Sequence, residues 1–202
     1  MAGLSDGVGF TAHQIRNAEF ALRPYEIRRL LGGATSLRDR LIVEILAVTG
    51  IRRAEIRLLH TEDLDLRRKR LLINHGKGRK KRIVFVPTAT VARLQRYVRW
   101  EGFLFRGRHG GPMSLRNINY VVGKVAGRAG VRTPNPRYRH VGPHLLRHSL
   151  ARNWKRAGGS LESLQKLLGH ASLKTTLDVY GTEDQIDTER NYRALVASLV
   201  AR

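Results

Sequence analysis

The chain reads as one mainly α-helical domain of the α+β class, carrying a small antiparallel β-hairpin or sheet. Three observations predict this. Apolar residues recur at helical spacing through most of the sequence. One stretch, residues 63–87, changes to short β-prone runs around a glycine turn. And 202 residues that are 42% hydrophobic can bury one core with small appendages.

The elements follow in order. Residues 1–20 form an N-terminal tail. Pro24 suits the first turn of a short helix that runs to Leu31 and stops at Gly32 and Gly33. Ser36 can cap the next helix, in which Leu37, Leu41, Ile45 and Val48 share one face and Gly50 marks the end. A third helix begins near Arg52 and turns Ile56 and Leu59 inward. Leu71–Asn74 and Ile83–Val86 then make a hairpin about Gly76-Lys77-Gly78, with a third strand near Leu64–Leu66 and Pro87 as its close. Helical patterns return at 88–100, 114–129, 143–157, 160–168, 172–179 and 185–200, while Arg132–Gly142 is a loop with two prolines. The division expected is a tail at 1–20, a main domain at 21–182 and a C-terminal helix at 183–202.

Charge is the strongest bulk signal. Thirty-eight Lys and Arg against 16 acids give a net charge of +22 and a pI near 11.5. Such a surface attracts polyanions and accelerates their capture. Nucleic acid, heparin-like polymers and anionic membranes all fit, and so do ribosomal and chromatin proteins as a class. The chain has no cysteine, which excludes disulfides, thiol nucleophiles and Cys-based zinc sites. Leu41–Val48, the best apolar run, is interrupted by Glu44 and far too short to span a bilayer. Met1–Phe10 is glycine-rich and lacks the basic start and apolar centre of a secretory signal. A soluble cytoplasmic protein without a membrane partner is expected.

Six residues suited to phosphodiester chemistry fall in order: Arg52, Lys77, His144, Arg147, His170 and Tyr180. Pro143 fits the first position of a helix whose N-terminal N–H groups and dipole favour an anion. His144 and Arg147 are neighbours on that first turn, apart from the buried stripe Leu146, Leu150 and Trp154. Arg52 follows Thr49-Gly50 and has Glu55 one turn later, which can steady its guanidinium while it grips a phosphate oxygen. The same two residues also read as an ordinary helix pair.

Lys77 stands between two glycines at the hairpin tip. Residues 67–82 hold nine Lys or Arg and no acid. Within that run Arg79, Lys80, Lys81 and Arg82 read as contacts to a DNA backbone, while neighbouring cations would lower the Lys77 pKa and favour a general acid there. His170 ends the helix Leu167-Leu168-Gly169-His170, ten residues before Tyr180. A tyrosine normally ionises near pH ~10; a cationic pocket would lower that and ready a phenolate nucleophile. His140, His144 and His148 repeat every four residues, a spacing that can bind zinc, but Gly142-Pro143 breaks the helix between the first two. No metal site is assigned, and His148 reads as a packing or supporting residue.

The segments T-G-I-R-R-A-E, H-G-K-G-R, P-H-L-L-R-H and L-L-G-H-A-S-L-K-T-T-L-D-V-Y-G, taken together, resemble the catalytic signature of the tyrosine recombinases and phage integrases. The resemblance spans Arg23 to Tyr180. It implies a catalytic domain of that type, acting on double-stranded DNA without metal, ATP or other cofactor. Tyr180 would form a 3′-phosphotyrosine link and free a 5′ hydroxyl. Arg52 and Arg147 would neutralise the transition state, His144 would assist proton transfer, His170 would bond the phosphate, and Lys77 would protonate the leaving oxygen. The family acts as tetramers on paired sites, and the stripe Tyr192, Leu195, Val196 and Leu199 suits a tail that docks on a neighbouring protomer. Typical members carry an N-terminal DNA-clamping domain, so this chain reads either as a single-domain recombinase or as a catalytic fragment. A type IB topoisomerase-like nicking and closing activity, or a non-catalytic DNA-binding regulator, are the other readings.

Overall fold

A computed structural model describes residues 20–74, 81–135 and 139–170. Helix α1 (Pro24–Gly32) begins with proline at its first position, as expected. Helix α2 (Leu37–Thr49) is capped by the Ser36 hydroxyl, which accepts from the Asp39 amide at 3.1 Å. It closes on Gly50, whose backbone is left-handed at φ 63°. Helix α3 (Arg53–Arg57) follows at once, and the Glu55 carboxylate reaches back to its N-cap.

The hairpin region forms a three-stranded antiparallel sheet in the order β1 (Leu64–Asp65), β2 (Arg70–Ile73), β3 (Arg82–Phe85). Both longer strands start one residue earlier than the sequence suggested. The register pairs Leu71 with Val84 and Ile73 with Arg82. Alternation turns Leu71, Ile73 and Val84 inward and leaves Leu72, Ile83 and Phe85 exposed. Pro87 ends the sheet and caps α4 (Thr88–Tyr97). Helices α5 (Leu115–Arg128), α6 (Pro143–Arg156) and α7 (Leu161–Leu168) complete the described α-helices.

One expectation changes at α2. A single apolar stripe was expected there, but residues 41–47 are buried without a break and the helix packs against α4, α5 and α6. A helix segment buried on successive positions belongs at the centre of a fold. Leu37 and Val48 of the expected stripe are only half-buried, whereas Ile42, Val43 and Leu46 are fully enclosed. Glu44, the residue that interrupts the apolar run, is also buried. It accepts from Arg40 at 3.1 Å, Thr90 at 2.6 Å and Arg93 at 3.0 Å, and so ties α2 to α4. Helix α4 stops at Tyr97, short of the expected 100, and the segment 101–113, which periodicity left unassigned, is anchored by a bridge between His60 and Phe103 and by buried Leu104, Phe105 and Met113. Among the described residues, no helix is long and apolar enough to cross a membrane.

Candidate active site

Four segments meet at the C-terminal end of α7. They are the α2–α3 junction with Arg52 and Glu55, the start of β3 with Arg82, the first turn of α6 with His144 and Arg147, and Leu167–His170. Gly169 takes a left-handed conformation, φ 65°. The amides of Gly169 and His170 both donate to the Gln165 carbonyl, at 2.9 and 3.2 Å. The turn therefore leaves later carbonyls to find other donors.

Three consecutive carbonyls find three different arginines. The Leu167 oxygen accepts from Arg82 Nε at 3.0 Å. The Leu168 oxygen accepts from Arg147 Nη2 at 2.9 Å. The Gly169 oxygen accepts from Arg52 Nη2 at 3.4 Å. The negative end of a helix dipole favours cations at this place. Arg147 also donates through Nη1 to the Gly50 carbonyl at 2.5 Å, so one buried guanidinium joins the ends of α2 and α7.

Glu55 organises the other two arginines. Its Oε1 accepts from Arg52 Nη1 at 3.0 Å and from Arg82 Nη1 at 2.8 Å. Its Oε2 accepts from Arg82 Nη2 at 2.8 Å and from the Arg52 amide at 2.7 Å. The carboxylate side chain is 1% exposed, that of Arg82 9% and that of Arg52 31%. Burial pushes the Glu55 pKa up, but the hydrogen bonds and charges of Arg82 and Arg52 outweigh it, and the net pKa lies below the usual value. Of the two arginines, Arg52 therefore keeps a face toward solvent while Arg82 is enclosed.

The imidazoles complete the cluster. His170 is half-buried, and burial together with the charges of Arg147, Arg52 and Arg82 lowers its pKa to about 4. His144, next to Pro143 in the first turn of α6, keeps an exposed face. Partial desolvation and Arg147 lower its pKa as well. Both rings are thus held neutral near pH 7 while standing among guanidinia. Beyond His144 a groove is lined by Arg53, Arg116, Tyr120, Lys124 and Arg139.

Of the residues singled out in the sequence, Arg52, Glu55, His144, Arg147 and His170 come together. Lys77, Arg79, Lys80 and Tyr180 lie outside the described residues, as do the expected helices at 172–179 and 185–200. Lys81 is exposed at the start of the third strand. Arg82 differs from the expected solvated backbone contact, being enclosed and bonded to Glu55 and Leu167. Strand alternation was the available signal, since residue 82 shares the inward face with Val84. His140, His144 and His148 border one small pocket with Phe20 and Asn135. Among the described residues, no group of three His, Asp or Glu is disposed to hold a metal ion.

Known proteins are similar to this chain in sequence and in fold. A profile of the phage integrase family matches residues 21–185. The tyrosine recombinase XerC of Xanthomonas campestris pv. campestris (strain B100) is 35% identical over 168 residues, covering 81% of this chain and 49% of that protein. The crystal structure of XerA recombinase superposes with a TM-score of 0.73 at 29% identity, over 86% of this chain and 62% of that one. The XerH site-specific recombinase bound to difH substrate, in a pre-cleavage complex, gives 0.70 at 26% identity, over 86% and 53%. The chain spans about half the length of the curated relatives it matches. With a match over residues 21–185, the chain belongs to the phage integrase family, the tyrosine recombinases.

Proposed function

We propose that this chain carries the catalytic domain of a site-specific recombinase, which cuts and rejoins double-stranded DNA through a 3′-phosphotyrosine intermediate. The observation that supports it best is the convergence of Arg52, Arg147 and His170 from three separate segments onto one helix end, with His144 beside Arg147 in the first turn of α6. Guanidinia held rigidly by carbonyls and a carboxylate are preorganised to meet the charge that develops on a phosphodiester under attack. They need no reorganisation at the moment of reaction.

In this reading Arg52 and Arg147 hold the nonbridging oxygens of the scissile phosphate. The Tyr180 oxygen attacks phosphorus, the P–O5′ bond breaks, and a Tyr180–O–P bond replaces it. The phenolic proton leaves toward the neutral His144 imidazole. Lys77, the candidate general acid, gives a proton to the departing 5′ oxygen. His170, neutral at working pH, donates a hydrogen bond to the phosphate. A 5′ hydroxyl of the second strand then reverses the sequence, so the bond energy is conserved and no nucleotide triphosphate is consumed. The groove lined by Arg53, Arg116, Lys124 and Arg139 supports a track for the duplex backbone beside His144. Lys81 and the outlying Arg79 and Lys80 would extend it. XerH is bound to its difH DNA in the matched complex. Exchange between two sites calls for a homotetramer on paired DNA.

The test is a nicked suicide substrate incubated with the protein in EDTA and resolved on a denaturing gel. A pool of candidate site sequences serves as the screen. A covalent adduct that disappears in Tyr180→Phe supports the reading. Binding without an adduct on a cognate site would point instead to a regulator on the same fold.

A further inference from the structure

We propose that Arg82 is a positioning residue of this site, one that fixes Arg52 through Glu55 and His170 through the end of α7, without touching DNA itself. The inference rests on the recombinase reading above. It goes beyond it in assigning a task to an arginine that composition alone would place among the backbone contacts.

All three donor groups of the Arg82 guanidinium are committed. Nη1 and Nη2 grip the two oxygens of Glu55 at 2.8 Å each, and Nε holds the Leu167 carbonyl at 3.0 Å. A planar guanidinium can satisfy a carboxylate on one edge and a carbonyl on another; an ammonium cannot reproduce that fork. The side chain is only 9% exposed, so its charge is largely withdrawn from any strand lying in the groove.

The consequences run in two directions. Glu55 can hold Arg52 only from the orientation that Arg82 imposes, because both arginines share Oε1 and Oε2. On the other side, Leu167 stands three residues before His170, and the Arg82–Leu167 bond fixes the last turn of α7 against β3. One residue thereby sets the spacing between the Arg52 guanidinium and the His170 ring. Geometry at this level matters, since a displacement of about 1 Å at a reacting centre can cost on the order of 10²-fold in rate. Gly169 makes the arrangement possible: its missing Cβ is the space that Arg82 fills.

The experiment has two arms, on Arg82→Ala and Arg82→Lys in the full chain. The first uses no DNA. The Arg52 Nε–H order parameter and the His170 ring resonances are read by NMR, with the α2 core amides as a control for folding. Loss of order at Arg52 and a shifted His170 in both variants, with the core intact, is the expected result. An Arg52 that stays as ordered as in the parent overturns the proposal. Should the alanine variant fail to fold, Arg82→Lys decides, because it keeps the charge and loses only the fork.

The second arm reads binding and cleavage separately. Positioning predicts a cleavage rate at saturating DNA lower by roughly 10²-fold, with Kd and its salt dependence unchanged. Free guanidinium ion should restore part of the Arg82→Ala rate. A backbone contact predicts the opposite: weaker binding and a salt slope smaller by about 0.9, which would sink the inference. If the parent itself forms no adduct, the recombinase reading fails, while the first arm still decides what Arg82 positions.

Discussion

Gly169 and Arg82 are in a contact that only glycine allows. A Cβ on residue 169 would stand 2.8 Å from Cδ of Arg82 and 3.0 Å from its Nε and Nη1. The backbone at Gly169 is also left-handed, at φ 65°. Steric and conformational demands therefore coincide at the residue just before His170. Gly169→Ala is expected to lose about 1–2 kcal/mol from the backbone conformation alone. Moving Arg82 adds to that loss. Urea denaturation measures the total. Repeating the substitution in an Arg82→Ala background separates the parts, because the clash is then gone and only the backbone cost remains. Additive losses would show that the contact carries no strain.

Glu55 is the carboxylate that Arg52 and Arg82 share, and its removal should be costly. Glu55→Ala leaves the enclosed Arg82 guanidinium without its ion-pair partner, a change worth roughly 3–5 kcal/mol in comparable buried pairs. Glu55→Gln keeps the shape and should lose less. The pH dependence has a definite sign. The folded-state pKa lies below the ordinary value of 4.5, so the unfolded chain binds the proton more readily. The contribution of Glu55 is complete above pH 4.5 and fades as pH falls through the lower folded value. Thermal melts of the parent and Glu55→Gln over the acid range should converge as pH drops. Parallel curves would mean that Glu55 titrates normally.

The sequence exposed the chemistry better than its support. Arg52, His144, Arg147 and His170 are legible as an ordered set that resembles a family signature, and three of them also stand beside local punctuation: a glycine stop before Arg52, a proline start before His144, a glycine cap before His170. The helix cap Ser36, the helix stop Gly50 and the strand stop Pro87 are legible because each acts within a turn of itself. What escaped depends on distance along the chain. Arg82 meets Glu55 across 27 positions and Leu167 across 85. A run of cations gave no hint that one of them faces inward. Helix α2 escaped similarly, since its buried run 41–47 leaves no polar face to set a period, and only the packing of α4, α5 and α6 about it reveals the central place.

Arg147 should not be replaceable by lysine. Its Nη1 and Nη2 reach carbonyls at Gly50 and Leu168, on segments that the sequence separates widely. An ammonium is a point donor without the rigid fork. Arg147→Lys keeps the charge, yet it should lower adduct formation by roughly 10²–10³-fold, the loss typical of one preorganised donor. Single-turnover cleavage on a suicide substrate checks this. A lysine variant within a few-fold of the parent would show that charge alone suffices.

His170 should titrate far below an ordinary histidine. Burial and the nearby Arg147, Arg52 and Arg82 bring its pKa from 6.5 to about 4. The imidazole is therefore neutral throughout the neutral range and can donate a hydrogen bond without carrying charge. The linkage follows from the same shift. Below pH 6.5 the unfolded chain takes up a proton that the folded ring refuses, so stability declines from there until pH about 4, where both states are protonated. In the free protein the His170 Cε1–H resonance should show a midpoint near 4, and Arg82→Ala should raise it by removing one cation. His170→Gln should flatten the stability decline between those two pH values, leaving the part due to His144, whose pKa is lowered in the same direction. A midpoint near 6.5 in the parent would place the ring in water, away from the three guanidinia, and would remove His170 from the site.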